Sequence, residues 1–207
     1  MSGATEKDLN AIVSRETLGR LLLLEALVKK WNPVINLVSA GTIPHIQQRH
    51  ILDSIQIFRL SGPNQGVWCD LGSGGGFPGL VVALLAQEDG DRFHVQLVES
   101  DGRKCTFLRE AARQLGLNVT VFNSRIEDLP AISASVLSAR ALTSLPNLCK
   151  FASLHLDSSG VALFPKGARY HDEVISARQH WRFDLTVHPS KTDSAAAVLE
   201  MRNIRHA

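Results

Sequence analysis

Five of the eight residues from Gly72 to Gly79 are glycine, in the run Gly72-Ser73-Gly74-Gly75-Gly76-Phe77-Pro78-Gly79, directly after the apolar stretch Val67-Trp68-Cys69-Asp70-Leu71. An apolar run, a glycine cluster and a proline suited to a first helical turn together describe a strand, a tight turn and a helix. Glycine serves such a turn in two ways: it adopts positive φ, and its bare backbone lets a ligand lie against main-chain amides. A glycine cluster alone is a weak signal, since a tight turn without a ligand also accounts for it. Glu99 changes the balance, because it closes the next apolar run, Val95-Gln96-Leu97-Val98, at the interval of about 20–30 residues where an acid accepts from both hydroxyls of a ribose. Loop and acid together point to a ligand that carries a nucleoside.

Two ligand classes fit that chemistry. Gly72, Gly74 and Gly76 have the Gly-x-Gly-x-Gly spacing of methyltransferase loops, while Gly74, Gly76 and Gly79 match the dinucleotide spacing Gly-x-Gly-x-x-Gly. Phe77 and Pro78 crowd the place where a pyrophosphate needs amide donors from a helix start. S-adenosylmethionine has no pyrophosphate and tolerates such a loop. A dehydrogenase of 207 residues also lacks room for a separate substrate domain. The residues therefore favour S-adenosylmethionine as cofactor, with an NAD-binding protein as the less favoured alternative.

Other chemistries find little support. Cys69, Cys105 and Cys149 are an odd set at wide gaps, matching neither a disulfide framework nor a zinc site, and the eight histidines form no His-Glu-x-x-His pair, so no metal is expected. No apolar run is long enough to cross a membrane, and Glu6, Lys7 and Asp8 precede any apolar stretch, so a soluble, cytoplasmic protein is expected. A net charge of +2 is too mild to identify a nucleic-acid partner by itself.

The elements that must position the site follow from periodicity. Residues 6–31 read as a helix with an apolar stripe through Leu18, Leu21, Leu24, Leu27, Val28 and Trp31, broken by Pro33. A second helix is expected over 44–60, led by Pro44. Beyond 61–66 the texture becomes strands alternating with helices, the pattern of a parallel sheet with crossovers. Strands are expected at 67–71, 94–98, 119–122, 136–139, 161–164, 183–187 and 198–202, and helices at 78–86, 102–115, 144–154 and 170–181. With no long helix between them, the last two strands should pair antiparallel at the sheet end. The expected organisation is an α/β, class I Rossmann-like methyltransferase with a seven-stranded, mostly parallel sheet. An N-terminal helical cap, 1–62, is integrated with the core, 63–207, as one domain.

Several stretches together resemble the GidB family, the small-subunit ribosomal RNA (guanine-7)-methyltransferases. They are Lys30-Trp31-Asn32 with Ile35-Asn36-Leu37, Arg49-His50-Ile51-Leu52-Asp53-Ser54, the run from Asp70 to Gly79, Glu99-Ser100, Arg103-Lys104, Phe107-Leu108, Arg125-Ile126-Glu127, Ser138-Ala139-Arg140-Ala141 and Lys166-Gly167. In order and spacing they cover nearly the whole chain, and the Arg-His-Ile-Leu-Asp-Ser and Gly-Phe-Pro-Gly segments are the specific ones. One departure is that Ala139 precedes Arg140, where many relatives read Ser-Arg-Ala.

The resemblance implies transfer of a methyl group from S-adenosylmethionine to nitrogen 7 of a guanine in 16S ribosomal RNA; a small-molecule methyltransferase is the alternative. It implies that Gly72 and Phe77 line the cofactor pocket, that Ile126 and Glu127 flank the adenine, and that Arg140 closes the site near the reacting group. Gly74, Gly76 and Glu99 complete the expected cofactor set. Nitrogen 7 carries a free lone pair, so no general base is expected; Arg140 and Lys166 are the candidate positioning residues, meeting phosphates or the cofactor carboxylate rather than the base face. The candidate RNA contacts are Arg49, His50, Arg103, Lys104 and Arg109; taken singly, each reads more readily as part of a solvated helix face, and His50 also as a packing residue. The expected partner is 16S ribosomal RNA or the small subunit, met by a monomer.

Overall fold

The computed structural model describes residues 9–207; the expected helix start at Glu6 to Asp8 lies outside the described residues. The first long helix, α1 (Arg15–Ile35), starts where Ser14 accepts from Thr17 N at 3.1 Å. Its buried stripe is Leu18, Leu21, Leu24, Leu27 and Val28. Pro33 does not end it. A proline in the last turn removes only the bond its own N–H would make to the Lys29 carbonyl, and the helix closes at Asn36, left-handed at φ 48°, whose N–H reaches Asn32 O.

The helix expected over 44–60 is three pieces: a 3₁₀ turn (Ala40–His45), a π-helical turn (Gln47–Leu52) and α2 (Asp53–Leu60). Ser54 Oγ donates to the His50 carbonyl at 2.6 Å, a side-chain bond that competes with the backbone ladder. A wide turn of this kind re-aims side chains and recurs at functional sites. Here it carries Arg49 and His50.

All seven strands form, in one sheet: β1 (Gly66–Leu71), β2 (Phe93–Glu99), β3 (Val119–Asn123), β4 (Ala134–Ala139), β5 (Leu156–Lys166), β6 (Trp181–Pro189) and β7 (Ala197–His206). The order is β3-β2-β1-β4-β5-β7-β6. The first five strands are mutually parallel, and β7 runs antiparallel to both β5 and β6. The last two strands thus pair as expected, with β7 inserted inside β6. The crossovers use α3 (Gly79–Glu88), α4 (Gly102–Gln114), α5 (Leu145–His155) and α6 (Tyr170–Arg178).

Strand alternation divides the core between the two sheet faces. One cluster joins Trp68, Leu97, Val136 and Leu163 to α1, α2 and α3. The other joins Cys69, Leu71, Val98 and Leu137 to α5. Helix α3 is buried from Gly79 to Ala86, as it must be between the sheet and the N-terminal helices. No helix among the described residues is long and apolar enough to cross a membrane.

Candidate active site

The sheet reverses its winding direction between β1 and β4, the point at which parallel α/β sheets open a crevice at the carboxyl ends of their strands. Register decides what meets there. Leu71 pairs with Val98 on one side and with Ala139 on the other. The next residues along the three strands, Gly72, Glu99 and Arg140, therefore emerge side by side.

The turn after β1 uses glycine for more than one reason. Gly72, Gly74 and Gly76 all have positive φ, at 67°, 51° and 84°. A Cβ on Gly72 would stand 2.7 Å from Leu142 Cδ1, and one on Gly76 would stand 2.5 Å from Leu80 Cδ1. The first position keeps the crevice open; the second lets the turn close on α3. Gly79 is tighter still, because a Cβ there would fall 2.3 Å from Leu97 Cδ2 and 2.8 Å from Asp70 Oδ2.

The crevice has a volume of about 600 Å³, within the range of ligand pockets. Gly72, Gly74, Phe77, Glu99, Ile126, Glu127 and Arg140 line it. Of the expected cofactor residues only Gly76 lies outside the lining, its conformation serving the turn. Glu99 is buried, with Oε2 accepting from Gly74 N at 3.0 Å and Oε1 from Asp101 N at 2.9 Å. The carboxylate clips the glycine loop to the start of α4, and each oxygen keeps a second lone pair.

Beneath the loop sits a residue to which sequence reasoning gave no role. Asp70 is fully buried and accepts from Gly79 N at 3.2 Å and from Ser138 Oγ at 2.7 Å, while Trp68 Nε1 donates to Ser138 Oγ at 2.9 Å. Burial pushes its carboxyl up to about 6 against the pull of these hydrogen bonds. The available signal was an acid one residue inside the strand end, where an apolar side chain would be ordinary.

Arg140 stands on the wall between this crevice and a second cavity of about 370 Å³. Its Nη1 donates to Arg49 O at 2.9 Å, its Nη2 bonds His50 Nδ1, and Asp53 Oδ2 lies 3.8 Å from Nη1. Burial, then the like charge of Arg49, lowers its guanidinium to about 10, still charged at neutral pH. An arginine only donates, so His50 Nδ1 accepts and Nε2 carries the proton toward Thr42 Oγ1 at 2.9 Å. His50 is 4% exposed and stacks on Phe77 with ring centroids 5.0 Å apart.

The remaining candidates are spread out. Lys104 lines the first cavity, and Arg49 and Lys166 line the second. Lys166 Nζ donates to Thr143 O at 2.9 Å and Glu173 Oε2 at 2.6 Å. Arg49 faces Asp193 at 3.3 Å. Arg103 pairs with Asp101 at 3.1 Å, and Arg109 Nη2 donates to Val121 O at 3.0 Å, both on the exposed side of α4. Thr42, Val38 and Leu37, the last quoted only within a stretch that carries the family resemblance, also line the first cavity; sequence gave them no site role because they become neighbours only when the N-terminal helices fold over the loop.

Fold and crevice together define a Rossmann-like methyltransferase. The SAM-dependent methyltransferase of Aquifex aeolicus shares the fold with a TM-score of 0.58, covering 86% of this chain and 97% of that chain at 14% identity. The family described as GidB, rRNA small subunit methyltransferase G, matches residues 18–202, and the chain belongs to this family. Relatives named Ribosomal RNA small subunit methyltransferase G are 50% identical in Ruegeria sp. (strain TM1040), over 93% of this chain and 93% of that one, and 50% identical in Cereibacter sphaeroides (strain ATCC 17025 / ATH 2.4.3), over 94% and 93%.

Proposed function

We propose that the protein transfers a methyl group from S-adenosylmethionine to nitrogen 7 of a guanine in 16S ribosomal RNA, acting as a cytoplasmic monomer in which residues 1–62 cap the 63–207 core. The observation that carries this reading is the register that sets Gly72, Glu99 and Arg140 side by side at one crevice, in a chain of the GidB family. The residues fit the cofactor. A side chain at Gly72 would collide with Leu142, so the backbone there is bare, and Glu99 offers an oxygen pair held still by two main-chain amides.

In this reading Glu99 accepts from the ribose hydroxyls, buried Ile126 offers an apolar face to the adenine, and Glu127 lies at its edge. When bound, S-adenosylmethionine supplies an electrophilic methyl group. The protein's task is then positioning, since nitrogen 7 already has a free lone pair. Positive charge passes to the guanine during transfer, and a cation against the ring would oppose it. Arg140 suits that demand because its nitrogens point to Arg49 O and His50 Nδ1. Nitrogen 7 lies on the edge hidden in the deep groove of helical RNA, so the target is a loop or splayed base. Lys104 at the crevice, Arg49 at the second cavity, and Arg103 and Arg109 on the outer side of α4 supply charge for the phosphates around it, whereas His50 meets RNA only if the base enters the cavities.

A nucleoside-resolution map of 7-methylguanosine in 16S ribosomal RNA, with and without the gene, tests the proposal. Loss of one modified guanine is expected. An unchanged map removes it.

A further inference from the structure

The second cavity shares Thr42, His50, Arg140 and Ala141 with the cavity assigned to the cofactor. A methyl acceptor must come into contact with the donor, so its pocket has to adjoin the cofactor's through a common wall. Three carboxylates face the second cavity, and they differ. Glu173 Oε2 accepts from Lys166 Nζ at 2.6 Å and from Leu145 N at 2.8 Å. Asp193 accepts from Ala195 N at 3.0 Å and has Arg49 at 3.3 Å. Asp53 accepts from Thr192 Oγ1 on one oxygen, while its other oxygen has Arg140 at 3.8 Å, outside hydrogen-bond reach.

Asp53 is thus the recessed carboxylate of the three, 23% exposed, with Arg140 at ion-pair distance but no cation within hydrogen-bond reach among the described residues, so both oxygens keep lone pairs free to accept. Burial raises its pKa, with Thr192 and Arg49 opposing. Gln56, the neighbouring amide, is already engaged: Nε2 donates to Pro189 O at 2.8 Å and Oε1 accepts from Lys191 N at 3.0 Å. Asp53 lines only the second cavity, away from the cofactor crevice.

Guanine carries two donors side by side, N1–H and the N2 amine, on the edge across the ring from nitrogen 7. A carboxylate, an acceptor only, complements that edge. Adenine presents an acceptor at N1, and hypoxanthine lacks the amine. We propose that Asp53 selects guanine, its carboxylate accepting from N1–H and the N2 amine of a base lodged in the second cavity and turning nitrogen 7 toward the shared wall. The assignment rests on the guanine methylation proposed above.

The test compares the wild type with Asp53→Asn in methyl transfer to 16S ribosomal RNA, with free GMP and IMP as competing inhibitors. Asparagine replaces one acceptor oxygen by a donor facing the N2 amine. The expected result is a KM for RNA raised about ten- to hundredfold, from the loss of a hydrogen bond to a charged group. The wild type's preference for GMP over IMP disappears in the variant, and calorimetry on the same preparation gives an unchanged Kd for S-adenosylmethionine, which also reports a folded protein. An unaltered KM and GMP preference in Asp53→Asn overturns the assignment. So does a wild type that GMP and IMP inhibit equally, or not at all, whatever the variant does. A wild type that transfers no methyl to ribosomal RNA removes the parent function instead.

Discussion

Replacing Glu99 with alanine separates the loop clip that its hydrogen bonds form from the ribose contact proposed for it. Its oxygens hold Gly74 N at 3.0 Å and Asp101 N at 2.9 Å from a buried position. Both amides are part-buried and can turn toward water when the loop relaxes, so each orphaned donor takes the low end of the usual penalty, roughly 2 kcal/mol in all. In a chain of this size that lowers the melting temperature by about 4–8 °C. Cofactor binding loses a further contribution. A ribose hydroxyl on a carboxylate contributes about 1.5–3 kcal/mol; with one of the two hydroxyls rehydrated in the variant, about 2 kcal/mol remains lost, roughly thirtyfold in Kd. Glu99→Gln keeps one acceptor oxygen and falls between, at about tenfold. Calorimetric titration with S-adenosylmethionine and with its demethylated product reads the affinities, and thermal melts read the stability. A Glu99→Ala protein that melts at the reduced temperature yet binds both ligands like the wild type would mean that the carboxylate only clips the loop, and the ribose assignment would fall.

Gly79→Ala places a Cβ 2.3 Å from Leu97 Cδ2 and 2.8 Å from Asp70 Oδ2 in a region without slack; chemical denaturation should show a loss of about 3 kcal/mol, whereas Gly41→Ala, with nothing within 4 Å, should stay within about 0.5 kcal/mol. Asp70 has its folded pKa raised from 3.8 to about 6, so the folded state binds the proton more tightly and this group's contribution to stability falls as pH rises from about 4 through about 6. Asp70→Asn removes that dependence: relative to the wild type its stability should improve between those pH values by at most about 3 kcal/mol, and a pH-independent difference in denaturation midpoints would contradict the account. Arg140→Lys cannot span Arg49 O and His50 Nδ1 as the planar fork does; single-turnover methyl transfer should slow by about tenfold or more with a smaller change in cofactor Kd, and an unchanged rate would remove Arg140 from the positioning machinery.

What the sequence made legible and what it hid follow from the range of the forces involved. Strands β1, β2 and β4 lie at the centre of the sheet and read as apolar runs because both of their faces are buried. Their ends could be located from the glycines, from Glu99 and from Arg140, all of which depend on local chain chemistry. The π-helical turn could not be read, since 44–60 keeps a helical apolar spacing whether or not Ser54 bonds the His50 carbonyl. Placing β7 between β5 and β6 is likewise a choice between sheet edges, made by packing. Lys166 looks from sequence like a cation at a strand end, and only the approach of α6 brings Glu173 to within 2.6 Å of it. Asp70 is the most instructive case: its chemistry suits a cavity, yet it faces α3 and holds the Gly79 amide. The site is nevertheless tied to the sequence through register. Leu71, Val98 and Ala139 are partners in adjacent strands and are buried on the same sheet face, and a slip of one residue in β2 or β4 would exchange that strand's two faces, setting His94 and Gln96 of β2, or Ser138 of β4, against the opposite core cluster. The same slip would carry Glu99 or Arg140 away from Gly72. Packing of the sheet and assembly of the crevice therefore depend on one register, and this is why the meeting of residues 72, 99 and 140 at one crevice could be anticipated before any tertiary contact was known.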